Sequence, residues 1–507
     1  TIRTGVGRNF TLLARRIMRA GGYDGANPLD ITLENNGGGV AQVLVSAQGD
    51  GVLGGFHTFN KSTWMKISGG AVAGLADGEY DTAFWGDVSG TNKNVDVTAD
   101  TTVSSNAYAQ TIRFHNPAAT TLTINSGQRI YLPASANMCY GGILVTPAAG
   151  AVTIDGAGTI DPGLNDSAVI HHYGANTLTI GARLGAGTSS ESICKVGPGE
   201  LILTNDLNQF FNLEVFGGTV TLPALRNKNI GQPGGANNIV IGSGTLKYTG
   251  AGDTCNRVIA LRGNAVIEAA GSGPIEFIAA GGSNRVTQVS ANDGVDYPLT
   301  LTGAGVGSLN GVMQMLSGNL YKKGSGTWYI GGTLSNLDTY VKEGTLCVTG
   351  AIVGDVYVQA NGKLSGTGAL KRDAAVSGTV APGTSIGTLD AAWLTFEPGG
   401  RYEWEVDGGS VAADTIAVAG TLELPEAANS VTVKVVQVGG PVAGAYPLVT
   451  YAMLTGNTNA LVVDAAGTGY SQASFNITDS GITMGLVPEP ALLVLAPLAL
   501  LALRRRA

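Results

Sequence analysis

Apolar and polar residues alternate along most of this chain, and glycine resets the alternation. In Lys322-Lys323-Gly324-Ser325-Gly326-Thr327-Trp328-Tyr329-Ile330 a glycine turn feeds a short alternating strand. Gly344-Thr345-Leu346-Cys347-Val348 and Gly362-Lys363-Leu364-Ser365-Gly366 repeat it at a spacing of 18, from 326 to 344 to 362. The residue two places after each glycine is apolar: Trp328, Leu346 and Leu364. The same phase recurs at Gly199, Gly218, Gly244 and Gly420. Period-2 alternation entered from a glycine turn predicts half-buried strands. A fixed period of this size predicts a solenoid, whose units bury their apolar faces only by stacking. Eighteen residues fit about three strands of roughly five residues with tight corners, the geometry of a parallel β-helix. Unrelated glycine-rich hairpins in a β-sandwich are the competing reading.

Composition agrees with an all-β chain. Of 507 residues only 13% are charged, about half the usual fraction, and Gly 77 is roughly double average usage. Interior glycine costs a helix about 1 kcal/mol relative to alanine, so few helices are expected. The body has no apolar run of about 20 residues that would suit a membrane span. A net charge of −8 implies no strong steering, and no basic stripe interleaves with aromatics, which disfavours a nucleic-acid partner. Cys139, Cys194, Cys255 and Cys347 form no C-x-x-C pair. They are expected as small buried hydrophobes, with disulfides left open.

The chain divides by texture. Residues 1–26 form an N-terminal segment, in which 9–20 reads as a short basic amphipathic helix that would cap the first coil. The start at Thr1, without initiator Met or signal peptide, suggests a truncated or processed terminus. Residues 27–100 are an irregular β-rich region with the aromatics Phe56, Phe59, Trp64, Tyr80, Phe84 and Trp85, read as core or as a sugar-stacking platform. Residues 101–376 carry the repeats. Asn125, Asn165, Asn176 and Asn205 are placed at corners, where amides can stack between coils. Residues 377–486 have longer alternating strands and are expected to close the solenoid's end. Residues 487–507 are a distinct tail.

Two resemblances sharpen this reading. The segment from Lys322 to Val348 resembles the autotransporter-associated β-strand repeat, and Lys195-Val196-Gly197-Pro198-Gly199-Glu200-Leu201 with Phe216-Gly217-Gly218-Thr219-Val220 resembles a degenerate copy. Gly378-Thr379-Val380-Ala381-Pro382-Gly383-Thr384-Ser385-Ile386-Gly387-Thr388-Leu389 is similar to a segment that often follows such repeats. The resemblance implies a right-handed β-helix exposed outside the cell, with Gly199, Gly218, Gly326, Gly344 and Gly362 as its repeat glycines. In the tail, Val487-Pro488-Glu489-Pro490 precedes an uncharged apolar stretch, 491–503, and then Arg504, Arg505 and Arg506. This order resembles the PEP-CTERM sorting signal. It implies recognition by an exosortase-type enzyme, a short hydrophobic helix with transient membrane association, and a basic cluster held in the cytoplasm. The arginines also obey the positive-inside bias. A permanent anchor is the alternative.

Candidate chemistry is sparse. His57, His115, His171 and His172 are the only histidines. His171 and His172 are adjacent, so in a strand they point to opposite faces. No H-E-x-x-H, G-x-S-x-G or Walker-type loop occurs. Asp155 and Asp161, either side of an Asp-Gly corner, are the nearest approach to the paired carboxylates of glycoside hydrolysis. No catalytic residue, metal site or cofactor is assigned. The expected function is a non-catalytic secreted surface or extracellular-matrix protein, a stiff rod for adhesion or matrix structure. Extracellular polysaccharide and neighbouring cell surfaces are its expected partners. A carbohydrate-active enzyme on the same scaffold is the alternative. A self-translocating autotransporter passenger is disfavoured, because the chain ends in the short apolar run and arginines.

Overall fold

The computed structural model describes residues 1–4, 6–14, 29–46, 48, 50–84, 86, 93–132, 141–162, 167–185, 192–225, 238–278, 286–288, 297–315, 318–410 and 412–489. Among them the fold is all-β, with three short 3-10 turns and no α-helix. The chain forms two compact units, Thr1–Leu337 and Asp338–Ala507.

In the first unit, successive coils pair in parallel. One stack starts with the strands Asn94–Val97, Thr111–Phe114, Gly141–Val145, Ser167–His172 and Ser192–Val196. A second runs from Thr101–Val103 through Thr120–Ile124, Val152–Asp155 and Leu178–Ile180 onward. A third joins Ala107–Tyr108, Arg129–Tyr131, Thr159–Asp161 and Arg183–Leu184. This is the strand arrangement of a stacked parallel solenoid. Coil length is not fixed. Partners lie 31 positions apart at Ile112 and Ile143, and 21 apart at Leu246 and Ile267. Insertions at corners cost the stack little, because only the strands must stay in register.

Register makes columns. Val152, Leu178, Leu201, Val220, Leu246, Ile267 and Leu301 are successive partners, all buried, and Lys322 is the next. On the other stack Val95, Ile112, Ile143 and Ile170 are followed by Lys195. Both lysines therefore occupy interior aliphatic positions, and both are fully buried. Each curls back onto its own glycine turn. Lys195 Nζ donates to the carbonyls of Val196 (3.1 Å), Gly197 (2.8 Å) and Gly217 (3.1 Å). Lys322 Nζ donates to those of Lys323 (2.9 Å) and Gly324 (2.6 Å). The stem packs as an aliphatic while the ammonium satisfies turn carbonyls that would otherwise be orphaned.

Residues 29–84 and the strand Phe10–Ala14 form a lobe of mixed sheet. The strand Phe10–Ala14 pairs in parallel with Ala41–Val45. This corrects the expected helix over 9–20, since 10–14 are extended; 15–20 lie outside the described residues. Apolar Phe10, Leu12 and Leu13 satisfied a helical period equally well, and main-chain pairing decided the outcome. The lobe's core is Ile31, Val43, Val45, Leu53, Met65, Ile67 and Val72. Its turn Gly54–Phe56 docks on the coils: a side chain at Gly55 would collide with the backbone of Gly142. Phe56 packs on Val169, Cys194 and Val196, and Trp64 packs with Leu75, Tyr80 and Leu144.

The second unit keeps parallel pairing with longer strands. Asp338–Val348 lies along Asp355–Gly366, setting Gly344 opposite Gly362 and Leu346 opposite Leu364. Parallel coils continue to Leu461–Asp464, which pairs with Val431–Gln437. An antiparallel hairpin follows, Tyr470–Thr478 with Gly481–Pro488, and its second strand pairs with Gly444–Thr450. The change to long strands comes at 338, earlier than the texture change near 377.

If the motif ammonium caps the turn, Lys322→Met keeps the stem but strips carbonyls of their donor. Hydrogen exchange of residues 320–330 should then show local stability reduced by about 1–3 kcal/mol. Unchanged exchange would mean that only stem packing matters.

Candidate functional site

The repeat glycines sit where the chain turns against the coil beneath. Gly218 has a φ of +64°, and a side chain there would strike the carbonyl of Gly199. Gly199 in turn lies against the His172 ring. Gly326 lies over Gly305, Gly362 over Val341, and Gly344 has a φ of +66°. In the segment 378–389, the main chains of Gly366 and Gly383 exchange hydrogen bonds, and Gly387 N–H donates to Asp414 Oδ1 at 2.9 Å. Asp414 Oδ2 accepts from Glu405 N–H at 3.0 Å. This buried carboxyl thus ties the Gly387 turn to the neighbouring strand.

The lobe and the coils share a buried polar seam. His171 Nε2 lies 2.9 Å from the Gly55 carbonyl, and its Nδ1 lies 3.3 Å from the Tyr173 hydroxyl. That hydroxyl lies 3.2 Å from the Thr58 hydroxyl, which donates to Asp30 at 2.8 Å. Trp64 meets the His171 ring edge-on, with centroids 5.6 Å apart. At the seam's edge Arg113 donates to Asp77 and Asp96, both at 2.7 Å, and stacks on Tyr80 at 3.9 Å. Burial lowers His57 to about 4 and His171 to about 3. Burial, then the Lys195 charge, lowers His172 to about 4. Burial also lowers Lys195 to about 7.

These contacts decide the aromatic question for three of its six members. Phe56, Trp64 and Tyr80 are buried in the lobe and its docking face, so they form no platform; Trp85 lies outside the described residues. Aromatic pairs do occur where register repeats a tyrosine. Tyr108 stacks on Tyr131 at 4.7 Å, and Tyr340 on Tyr357 at 5.1 Å. One face of each ring packs on its partner along the column. The corner asparagines also differ from expectation. Asn176 and Asn205 donate to the backbone carbonyls of Ala149 and Gly181, at 3.0 and 2.9 Å. Asn165 lies outside the described residues.

Asp155 is exposed over Gly181, whereas Asp161 is buried and ion-paired with Arg129 at 2.9 Å. Among the described residues no three His, Cys, Asp or Glu side chains gather as a metal site. Cys194, Cys255 and Cys347 are buried thiols in different coils; Cys139 is not described. Val487 and Pro488 end the last strand, with Val487 47% exposed, and Glu489 N–H donates to Gly469 at 2.8 Å. Pro490, the stretch 491–503 and Arg504, Arg505 and Arg506 lie outside the described residues. Among the described residues no helix is long and apolar enough to cross a membrane.

No family model matches the chain. It is 25% identical over 294 residues to an adhesin named BmaC autotransporter from Brucella suis biovar 1 (strain 1330), covering 53% of this chain and 8% of that protein. It is 41% identical over 92 residues to an extracellular serine protease of Serratia marcescens, covering 18% of this chain and 9% of that protein. The chain spans under a tenth of the length of these curated relatives.

The two units should answer mild acid in opposite senses. The buried histidines His57, His171 and His172 have folded pKa values below their ordinary 6.5, so their stabilisation is present above about pH 6.5 and is lost as pH falls toward 4 and below. Asp414 is raised from 3.8 to about 7 by burial, against the main-chain N–H donors of Glu405 and Gly387, which lower it. Its contribution is therefore present below about pH 4 and is lost as pH rises to 7. Unit-resolved hydrogen exchange at pH 5 and 7.5 should show the lobe weakened by acid and residues 385–415 strengthened. His171→Gln should reduce the first slope and Asp414→Asn the second.

Proposed function

We propose that this chain belongs to a non-catalytic, exported surface or extracellular-matrix protein. Its coils would form a right-handed β-helix that serves adhesion or matrix structure. The observation that carries the reading is the outward face of the stack. Thr121, Thr153, Thr179 and Ile202 succeed one another in register as half-exposed, short and mostly polar side chains, and the column continues through the buried Thr221 to Lys247 and Glu268, which are ion-paired with each other. Such a face suits weak, repeated contacts with polysaccharide or a neighbouring cell surface. Similarity over half the chain to a protein named as an adhesin supports the same class.

In this reading Val487, Pro488, Glu489 and Pro490 are the sorting motif for an exosortase-type enzyme. Residues 491–503 would engage the membrane transiently, and Arg504, Arg505 and Arg506 would stay cytoplasmic. The exposure of Val487 and Glu489 at the end of the last strand supports access by a processing enzyme.

Intact mass and fractionation in the native host test the proposal. Wild-type protein should be exported and lose roughly its last twenty residues, while a Pro488→Ala/Glu489→Ala/Pro490→Ala variant stays membrane-bound at full length. Full-length protein in both cases would replace the sorting signal with a plain anchor. Soluble cytoplasmic protein would overturn the export reading.

A further inference from the structure

The C-terminal hairpin leaves one strand with an open side. Tyr470–Thr478 pairs with Gly481–Pro488, and no other strand among the described residues pairs with its outer edge. The hairpin closes through the two residues Asp479 and Ser480, with Thr478 opposite Gly481. In a two-residue hairpin the flanking pair is hydrogen-bonded, so Thr478, Asn476, Ser474 and Gln472 direct their main-chain groups at the partner strand. Ala473, Phe475 and Ile477 then direct theirs outward.

Exposed edges are normally guarded by charge, proline or a bulge in the open stretch. The nine residues Tyr470-Ser471-Gln472-Ala473-Ser474-Phe475-Asn476-Ile477-Thr478 contain no charge and no proline. Their one register shift lies between Tyr470 and Gln472, before the open stretch. Ala473, Phe475 and Ile477 are half-exposed beside the buried Ile482, Met484 and Leu486, whereas Gln472, Ser474, Asn476 and Thr478 are exposed. The edge therefore carries one apolar face and one polar face.

That pattern is self-complementary. A two-fold axis through Phe475 sets Phe475 against itself and Ala473 against Ile477, which exchange their outward main-chain hydrogen bonds. Ser474 falls opposite Asn476, Gln472 opposite Thr478, and Ser471 opposite Asp479. No like charges meet, and each apolar residue meets an apolar one. We propose that this edge pairs two copies of the chain, antiparallel and isologous, into a sheet continuous through both C-terminal hairpins. The inference is independent of export and of tail processing. One strand pair buries much less than the roughly 1,200 Å² of a stable interface, so the association is reversible and concentration-dependent.

Sedimentation of the full chain at about 1–200 µM, with detergent to mask the tail, tests this. Wild-type protein should shift from monomer to dimer, and Ala473, Phe475 and Ile477 should gain amide protection with concentration while Ser474 and Asn476 do not. Ala473→Pro removes an outward N–H that the hairpin does not use, and should weaken association at least tenfold. Ser474→Lys/Asn476→Lys sets lysines against each other across the axis and should do the same with the hairpin intact, which decides the matter should the proline variant misfold. A monomer throughout, or association unchanged in the lysine variant, would overturn the proposal.

Discussion

The structure depends on main-chain hydrogen bonding between coils held in parallel register. Every strand N–H and C=O needs a partner, and in a parallel stack the partners are the residues that flank the equivalent position on the adjacent coil. Side chains therefore form columns, in which similar residues recur from coil to coil. Aliphatic residues fill the interior columns, and threonines recur outside. Where two coils approach most closely, glycine is required, as at Gly218 above Gly199. The same rule turns repeated tyrosines into face-to-face pairs.

The motif lysines show how a charge enters such an interior. Lys195 and Lys322 stand in columns otherwise made of Val, Ile and Leu, and the ammonium of each reaches main-chain carbonyls of a glycine turn. A glycine turn exposes several carbonyls in one direction, and a four-carbon stem reaches back to them. Burial of one charged group is thus offset by satisfying several polar ones. It also explains why the lysine precedes the glycines by two positions in both copies of the motif.

Much of this architecture was legible in the glycine-reset alternation between Lys322 and Gly366. Trp328, Leu346 and Leu364 are buried as that phase predicts, and Gly344 and Gly362 are direct partners. The constant period was not general, because corner loops vary while strands stay in register. Phe10–Ala14 misled because its apolar spacing fits either a helix or a strand. The aromatics of 56–80 are core residues of a lobe whose docking on the coils has no local signature. The interior lysines carry a signal of their own in the sequence: each stands in the apolar phase just ahead of its Gly-x-Gly turn. His171 was rightly placed back to back with His172, but its role in the seam depends on Gly55, far away in sequence.

Register itself can be measured. Thr121, Thr153, Thr179, Ile202, Thr221, Lys247, Glu268 and Thr302 are successive partners in one outward column. Neighbouring strands lie about 4.8 Å apart, so spin labels at Thr153 and Thr302 should be about 29 Å apart, and labels at Thr121 and Thr302 about 34 Å. Pulsed dipolar spectroscopy on these two pairs and on Thr153 with Lys247, expected at about 19 Å, should give distances that grow by the same step per coil. Distances that do not scale with the number of coils between the labels would contradict the stacked parallel register.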